Sequence, residues 1–126
     1  MVEIVAVKDG TAERPIPSAW RPALRGVVAA FVKGDYLLAD SVEDVQAVSQ
    51  ETANHIQSYL RDYGATLNPL PDETWNSSVC IWTGDHWDFL VDLYTREERA
   101  SDLVLSGRVT DTNSGFKIAV HMVYVP

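Results

Sequence analysis

Four stretches in the last third of the chain alternate hydrophobic and polar residues. They cover residues 77–83, 86–95, 102–110 and 116–125. Alternation with a period of two is typical of a β-strand that has one buried face. The gaps between the stretches are short enough for hairpin turns, so the pattern predicts an antiparallel meander of about four strands.

One face of this predicted sheet is almost wholly apolar, while the other carries most of its charged and polar side chains. The apolar positions are Trp87, Phe89, Val91, Leu93, Leu103, Leu105, Gly107, Val109, Phe116, Ile118, Val120, Met122 and Tyr124. A face of this kind has to be covered by other elements of the fold.

Two segments before the strands have the period of an amphipathic helix. The first is predicted to begin near Ser18, as its N-cap, and to end at Gly34; the second begins near Ser49 and ends at Gly64. The apolar stripes comprise Trp20, Leu24, Val27, Val28 and Phe31 in the first helix, and Ala53, Ile56, Leu60 and Tyr63 in the second. These stripes are expected to pack on the apolar face of the sheet.

The elements together predict an α+β fold with two N-terminal helices on one face of the meander. Residues 2–7 are rich in β-branched residues and predict an extra strand at the edge of the sheet. No linker, repeat or low-complexity tract interrupts the 126 residues, which is typical of a single domain spanning residues 1–126.

The turn sequence at residues 111–114 predicts a register for the polar face of the sheet. The predicted pairs are Arg108 with Lys117, Val104 with His121, Asp88 with Arg108, and Asp92 with Val104. This register places two rows of polar residues across three strands. It also brings Asp88 and Arg108 close enough for a cross-strand ion pair.

The hairpin at residues 82–88 holds the densest cluster of aromatic and ionisable side chains. Its Gly84-Asp85 sequence predicts a tight turn with a tryptophan packed on each side. Tryptophan is also favoured at binding hot spots, which makes the hairpin a candidate recognition edge. Together with neighbouring residues of the polar face, the candidate binding residues are Trp82, Asp85, His86, Asp88, Asp92, Arg108 and His121.

Motifs for catalysis or cofactor binding are missing from the sequence. The spacing of Asp85, His86 and Asp88 matches no metal-binding motif, so no metal site is predicted. There is no glycine-rich phosphate loop, nucleophile elbow or zincin helix, and no cofactor is predicted. One route to catalysis remains, in which the sheet curves into a pocket where Asp92 orients His121 as a general base.

The formal net charge of −8 narrows the choice of partners. An acidic surface repels the phosphates of nucleic acids, so no nucleic acid is expected to bind. One interpretation of the charge is that it keeps the protein soluble. The other is that it attracts a basic protein as the partner. The acidic stretch of Asp40, Glu43 and Asp44 is a second candidate contact for such a protein.

Cysteine content and the N-terminal sequence bear on the location of the protein. Cys80 is the only cysteine, which excludes an intrachain disulfide and is typical of a reducing compartment. The N-terminus has no basic region before its apolar residues, and this apolar stretch is too short to span a membrane. The expected location is therefore cytoplasmic, without membrane contact.

These observations predict a non-catalytic protein-binding or accessory module. An immunity- or inhibitor-like role against a basic partner is one form of this function. The alternative is a small-molecule-binding domain, or an enzyme, with a curved-sheet pocket around His121 and Asp92. A homodimer that pairs the polar faces of two sheets is a third hypothesis.

Five groups of residues are spread along the chain: Trp20-Arg21-Pro22 with Leu24-Arg25; Gly34-Asp35-Tyr36; Asp62-Tyr63-Gly64; Asp85-His86-Trp87-Asp88 with Val91-Asp92-Leu93; and Val123-Tyr124-Val125-Pro126. They resemble a bacterial family of small domains of uncharacterised function. The resemblance covers most of the chain and implies no catalytic residue. The order of helices followed by an antiparallel meander is also similar to cystatin-type and nuclear-transport-factor-type folds, which host inhibitors, small-molecule pockets and some enzymes.

Overall fold

The structure is a computed structural model that describes residues 3–39 and 41–126. In these residues the chain forms two α-helices, α1 (Arg21–Val32) and α2 (Gln50–Tyr63), and a sheet of five strands. The strands are β1 (Arg14–Pro15), β2 (Val79–Trp82), β3 (Trp87–Thr95), β4 (Arg99–Thr112) and β5 (Gly115–Tyr124). All neighbours are antiparallel in the order β1-β2-β3-β4-β5, which confirms the predicted α+β fold.

The core lies between the two helices and the face of the sheet predicted to be apolar, which we call the inner face. Leu24 of α1, Ile56 of α2 and Phe89 of β3 are all buried in it. The Trp20 ring packs edge-on against Trp87, with ring centroids 5.3 Å apart. The opposite side of the sheet, the outer face, is left uncovered by the helices.

The predicted strand at residues 2–7 is wrong for residues 3–7, and residue 2 lies outside the described residues. The extra edge strand is β1, in which Arg14 lies opposite Cys80. Residues 3–7 make no ladder, and backbone groups of Ile4 and Val7 bond to side chains instead. The Ile4 amide donates to Ser18 Oγ at 2.9 Å, and Trp87 Nε1 donates to the Val7 carbonyl at 3.0 Å.

The starts of the two helices differ from each other in how they are capped. The prediction that Ser18 caps α1 is wrong, because its hydroxyl accepts from the Ile4 amide. A 3₁₀ turn at Ser18–Trp20 precedes the helix instead. Ser49 does cap α2, and its Oγ accepts from the Thr52 amide at 3.1 Å. The predicted start of the second helix is therefore confirmed.

The acidic connection between the helices runs beside β5. The Ile118 amide donates to the Asp44 carbonyl at 2.7 Å, and the Gln46 amide donates to the Ile118 carbonyl at 2.8 Å. These bonds cover part of the free edge of β5, so a partner strand cannot pair there. Asp40, which was also assigned to the acidic stretch, lies outside the described residues.

The hairpin between β4 and β5 is tighter than predicted. Its loop has two residues rather than four, and the observed pairs are Thr112 with Gly115, Thr110 with Lys117, and Arg108 with Ala119. Lys117 is therefore not opposite Arg108. The shift is two residues, so it keeps the same residues on each face, as the buried pattern requires.

A β-bulge in β5 changes the rest of this pairing. Gly107 pairs with Val120 but Ser106 pairs with Met122, which leaves His121 as an extra residue. An extra residue reverses the alternation beyond it. Val123 consequently enters the core, whereas Met122 and Tyr124, both predicted to face inward, are only half-buried.

The loop between β3 and β4 is fastened to the end of α2 by two carboxylates. Glu97 accepts from the Thr66 amide at 2.8 Å and from Thr66 Oγ1 at 3.1 Å. Glu98 accepts from the Tyr63 hydroxyl at 2.8 Å and from Thr95 Oγ1 at 3.1 Å. These contacts hold the β3–β4 hairpin against the end of α2 and the residues that follow it.

Acidification is expected to weaken the contact between Glu97 and Thr66. The hydrogen bond from the Thr66 amide holds the pKa of Glu97 below its ordinary value of 4.5. A carboxylate with a lowered pKa contributes stability above its ordinary pKa and loses that contribution as the pH falls through the folded value. The unfolding free energies of wild type and Glu97→Gln should therefore differ at neutral pH and converge in acid, as measured by urea unfolding at several pH values.

Glu43→Gln is the matched control, because among the described residues the Glu43 carboxylate accepts no hydrogen bond. It should leave the pH dependence of stability as in the wild type. A difference between wild type and Glu97→Gln that stays constant with pH would contradict the assigned role of this carboxylate.

Candidate functional site

A groove crosses the outer face of the sheet and has a volume of about 320 Å³. We call it the outer groove. Its lining residues are Glu13, Val79, Cys80, Ile81, Asp88, Phe89, Leu90, Ser106, Gly107, His121 and Tyr124. They come from the residue before β1 and from β2, β3, β4 and β5, so the groove runs across the strands rather than along them.

The register of the sheet explains why a groove forms here. Cys80, Phe89 and Gly107 lie in one row across the strands and belong to the inner-face positions, so only their backbone side faces outward. The rows on either side of them point outward and form the walls. From β1 to β5 the groove covers four strand spacings, about 19 Å.

The walls of the outer groove carry apolar side chains, which we call its apolar floor because they lie low against the sheet. Val79, Ile81 and Leu90 are half-buried although they point away from the core. Tyr124 adds an aromatic ring at the β5 end. The outer face therefore offers apolar contact area that is not used inside the chain.

The hairpin between β2 and β3 supplies a chain of polar contacts at one wall. His86 Nδ1 lies 2.5 Å from Asp85 Oδ1, and His86 Nε2 lies 3.0 Å from Asp88 Oδ1. The hydrogen bond with His86 lowers the pKa of Asp85 below its ordinary value. Since both ring nitrogens face carboxylate oxygens, the imidazole can donate to both only as a cation.

Arg108 and His121 form the second polar contact of the site. Arg108 Nε donates to His121 Nε2 at 3.3 Å, which requires that nitrogen to carry no proton. Partial desolvation of the imidazole and the nearby charge of Arg108 lower the pKa of His121, while Asp88 opposes the shift. His121 therefore acts as a neutral acceptor at neutral pH.

The predicted pairing of Asp88 with Arg108 in the sheet is confirmed, since they are directly opposite each other. The ion pair expected between them is not formed among the described residues. Each side chain is turned to a histidine instead: Asp88 to His86, and Arg108 to His121. Asp88 Oδ2 and the two terminal nitrogens of Arg108 are left without a hydrogen bond among the described residues.

Of the candidate residues, Asp88 and His121 line the outer groove. Side-chain contacts join Asp85, His86 and Arg108 to these two.

The other two candidate residues lie apart from the groove. Trp82 packs on Trp87, with ring centroids 4.7 Å apart, and lies beside Lys8. The Asp92 carboxylate accepts from the Ser77 hydroxyl. Asp92 is also not part of the groove lining. It lies opposite Val104 as predicted, but Val104 lies opposite Tyr124 rather than His121, so the predicted row of Asp92, Val104 and His121 is wrong.

Sequence reasoning missed the apolar floor and Glu13. The alternation itself places Val79, Ile81 and Leu90 on the outer face, so the pattern was sufficient to predict an apolar patch there. Glu13 lies before β1, in a loop that only the tertiary fold brings beside β2. Nothing in the sequence indicates that placement.

Within residues 3–39 and 41–126, no three His, Cys, Asp or Glu side chains are grouped so that they could hold a metal ion. The helices of this same part of the chain are too short or too polar to cross a lipid bilayer.

Residues 28–126 match a family model described as "Domain of unknown function (DUF7668)". The match includes α2 and β2 to β5 and begins inside α1, so Glu13 and β1 precede it. It confirms the resemblance to a family of uncharacterised function; the bacterial origin and the likeness to cystatin-type and nuclear-transport-factor-type folds stay predictions. No curated protein and no solved structure matches the chain.

Proposed function

This chain belongs to the DUF7668 family, and we propose that it is a protein-binding module whose outer groove receives a basic segment of a partner protein. The observation that carries the proposal is the charge of the groove: Glu13 and Asp88 line it, while Arg108 is not among the lining residues and is turned to His121. A lysine or arginine side chain complements these two carboxylates.

The apolar floor adds a second requirement for the bound segment. Val79, Ile81 and Leu90 offer contact to an apolar side chain that lies beside the basic residue. The length of about 19 Å suits about six residues of extended chain. A short segment with one basic and at least one apolar residue therefore fits the groove in both charge and size.

The net charge of −8 also supports a basic partner, because it attracts such a protein over a longer distance than the groove contacts do. A basic protein is drawn to an acidic one before the two surfaces meet, and salt screens this attraction. An immunity- or inhibitor-like role, in which the module blocks a basic protein, is one form that this function takes.

The arrangement of His121 supports binding rather than catalysis. A general base needs a partner that orients its imidazole and favours the protonated form. His121 has the Arg108 guanidinium as its neighbour, which disfavours that form. The proposal therefore gives His121 no catalytic role.

A cytoplasmic location fits this function. Cys80 is the only cysteine, and burial raises the pKa of its thiol to about 11. The thiol consequently stays protonated and unreactive at neutral pH. A chain that needs no disulfide is suited to a reducing compartment.

Loss of the two groove carboxylates is expected to weaken binding at least about tenfold, since each charge-assisted hydrogen bond contributes on the order of one to two decades in affinity. A library of short displayed peptides is selected on the wild type, and the best binders are synthesised. Their affinities for the wild type and for the Glu13→Gln/Asp88→Asn double variant are then measured by calorimetry.

The matched control is the Glu51→Gln/Asp62→Asn double variant, which makes the same change of net charge at two exposed positions of α2. It should bind the peptides as tightly as the wild type. Selected peptides without enriched lysine or arginine, or equal losses in both double variants, would contradict the proposal.

A further inference from the structure

Two opposite charges lie side by side on the outer face without neutralising each other. Asp88 and Arg108 are direct partners in the β3–β4 register, yet each is turned to a different histidine. A cross-strand pair of this kind ordinarily forms when its side chains are free to meet. His86 and His121 therefore keep a negative and a positive group apart at the outer groove.

We infer that Arg108 and His121 form a subsite for a carboxylate, so that the bound segment carries an acidic group close to its basic side chain. This inference rests on the proposed function, because it concerns the same groove and the same bound segment. It assigns the cation of the segment to Glu13 and Asp88, and its carboxylate to Arg108 and His121.

The guanidinium of Arg108 is free to donate hydrogen bonds to a carboxylate of the bound segment. Its side chain is exposed, and among the described residues it makes no ion pair; its one hydrogen bond is from Nε to His121. The two terminal nitrogens thus remain for a ligand, and their planar arrangement suits the two oxygens of a carboxylate.

The position of His121 supports the same assignment. His121 lines the groove and is the extra residue of the β5 bulge, so its ring is set beside Arg108 on the neighbouring strand. A carboxylate at this point would contact both side chains. Arg108 is outside the lining of the groove and reaches it through His121 of β5, which places the subsite toward the β5 end.

The spacing of the two subsites sets the pattern of the segment. Neighbouring strands are about 4.8 Å apart, and alternate residues of an extended segment are about 7 Å apart on one face. Asp88 lies on β3 and Arg108 on β4. A basic residue and an acidic residue two positions apart would therefore reach both subsites.

Peptide selection on Arg108→Gln tests the inference separately from the proposed function. Peptides selected on the wild type should be enriched in Asp or Glu two positions from Lys or Arg, and those selected on Arg108→Gln should keep the basic residue but lose this enrichment. Wild-type peptides should also bind Arg108→Gln about tenfold to a hundredfold more weakly. Free-acid and amidated versions of each peptide separate a side-chain carboxylate from a C-terminal one.

Titration with acetate alone gives a second test that needs no peptide. The ring resonances of His121 should shift more with sodium acetate than with sodium chloride at equal ionic strength, and this difference should vanish in Arg108→Gln. His55, which is exposed on α2, provides the internal reference.

The outcomes distinguish the two claims. Basic peptides that depend on Glu13 and Asp88, but show no acidic enrichment and bind Arg108→Gln unchanged, would overturn the carboxylate subsite and leave the basic-segment groove intact. If no basic peptide is selected, the proposed function fails, and the acetate response of His121 alone decides the subsite: a shift equal to that with chloride overturns it.

Discussion

Replacing Phe89 with alanine is expected to lower the free energy of unfolding by about 3–5 kcal/mol, the range for large aromatic residues removed from a core. Phe89 is 2% exposed and is the third residue of β3. Its ring lies within contact distance of the site where Gly107 would carry a Cβ atom. Removing the ring leaves a cavity at the centre of the sheet that the rigid strands around it cannot close. Urea unfolding, with equal slopes for both proteins, measures the loss.

Leu90→Ala is the matched control, because Leu90 is the next residue on the same strand and points to the outer face. It is half-buried, so its loss should cost about 1 kcal/mol, well below the value for a core residue. A larger effect for Leu90→Ala than for Phe89→Ala would mean that the two faces of the sheet have been exchanged.

A single methyl group added at Gly107 is expected to destabilise the fold by about 3 kcal/mol, at the upper end of the range for overpacked sites. A Cβ atom there would lie 2.3 Å from the Ala119 carbonyl oxygen and 2.7 Å from the Phe89 ring. The ring can move, but the carbonyl belongs to the backbone of β5. Gly107→Ala therefore has to shift a strand next to the bulge at His121.

Ser106→Ala serves as the control for Gly107→Ala, since it changes the adjacent residue on the other face of β4. Its effect on the free energy of unfolding should stay near that of one lost hydrogen bond, about 1 kcal/mol. If Gly107→Ala were as stable as the wild type in thermal and urea unfolding, the close approach of β4 and β5 described above would be incorrect.

The inner face and the second helix could be predicted from the sequence because local chemistry decides them. Phe89 and Leu105 follow a period of two between short turns, and that period leaves one choice for the buried face. Ser49 and Gly64 bound α2 because a hydroxyl cap and a left-handed glycine act within a few residues.

The features that build the outer groove depend on distant parts of the chain, so local patterns could not reveal them. The bulge at His121 is an insertion relative to β4, and it is visible only when both strands are aligned. Edge strand β1 consists of two residues held by Cys80 and Val79, far along the chain. The position of Ser18 predicts a helix cap, but its hydroxyl accepts a hydrogen bond from the Ile4 amide instead.

Only part of the candidate site could be predicted, because some of its contacts follow from local patterns and others depend on how distant strands align. Asp88 and Arg108 were placed opposite each other because the register of β3 with β4 follows from their buried residues. The predicted row of Asp92, Val104 and His121 depends on a four-residue loop and an unbroken ladder between β4 and β5. The two-residue loop and the bulge together place Tyr124 opposite Val104, and the Asp92 carboxylate accepts from the Ser77 hydroxyl.

The measurement that tests the central claim most directly is a map of backbone amide chemical shifts during titration with a selected basic peptide. The account predicts that the largest shifts lie in β2, β3 and β4 around Val79, Leu90 and Ser106, and that Glu13→Gln/Asp88→Asn abolishes them at the same peptide concentration. Largest shifts in α2, or along the acidic connection beside β5, with the outer groove unchanged, would contradict it.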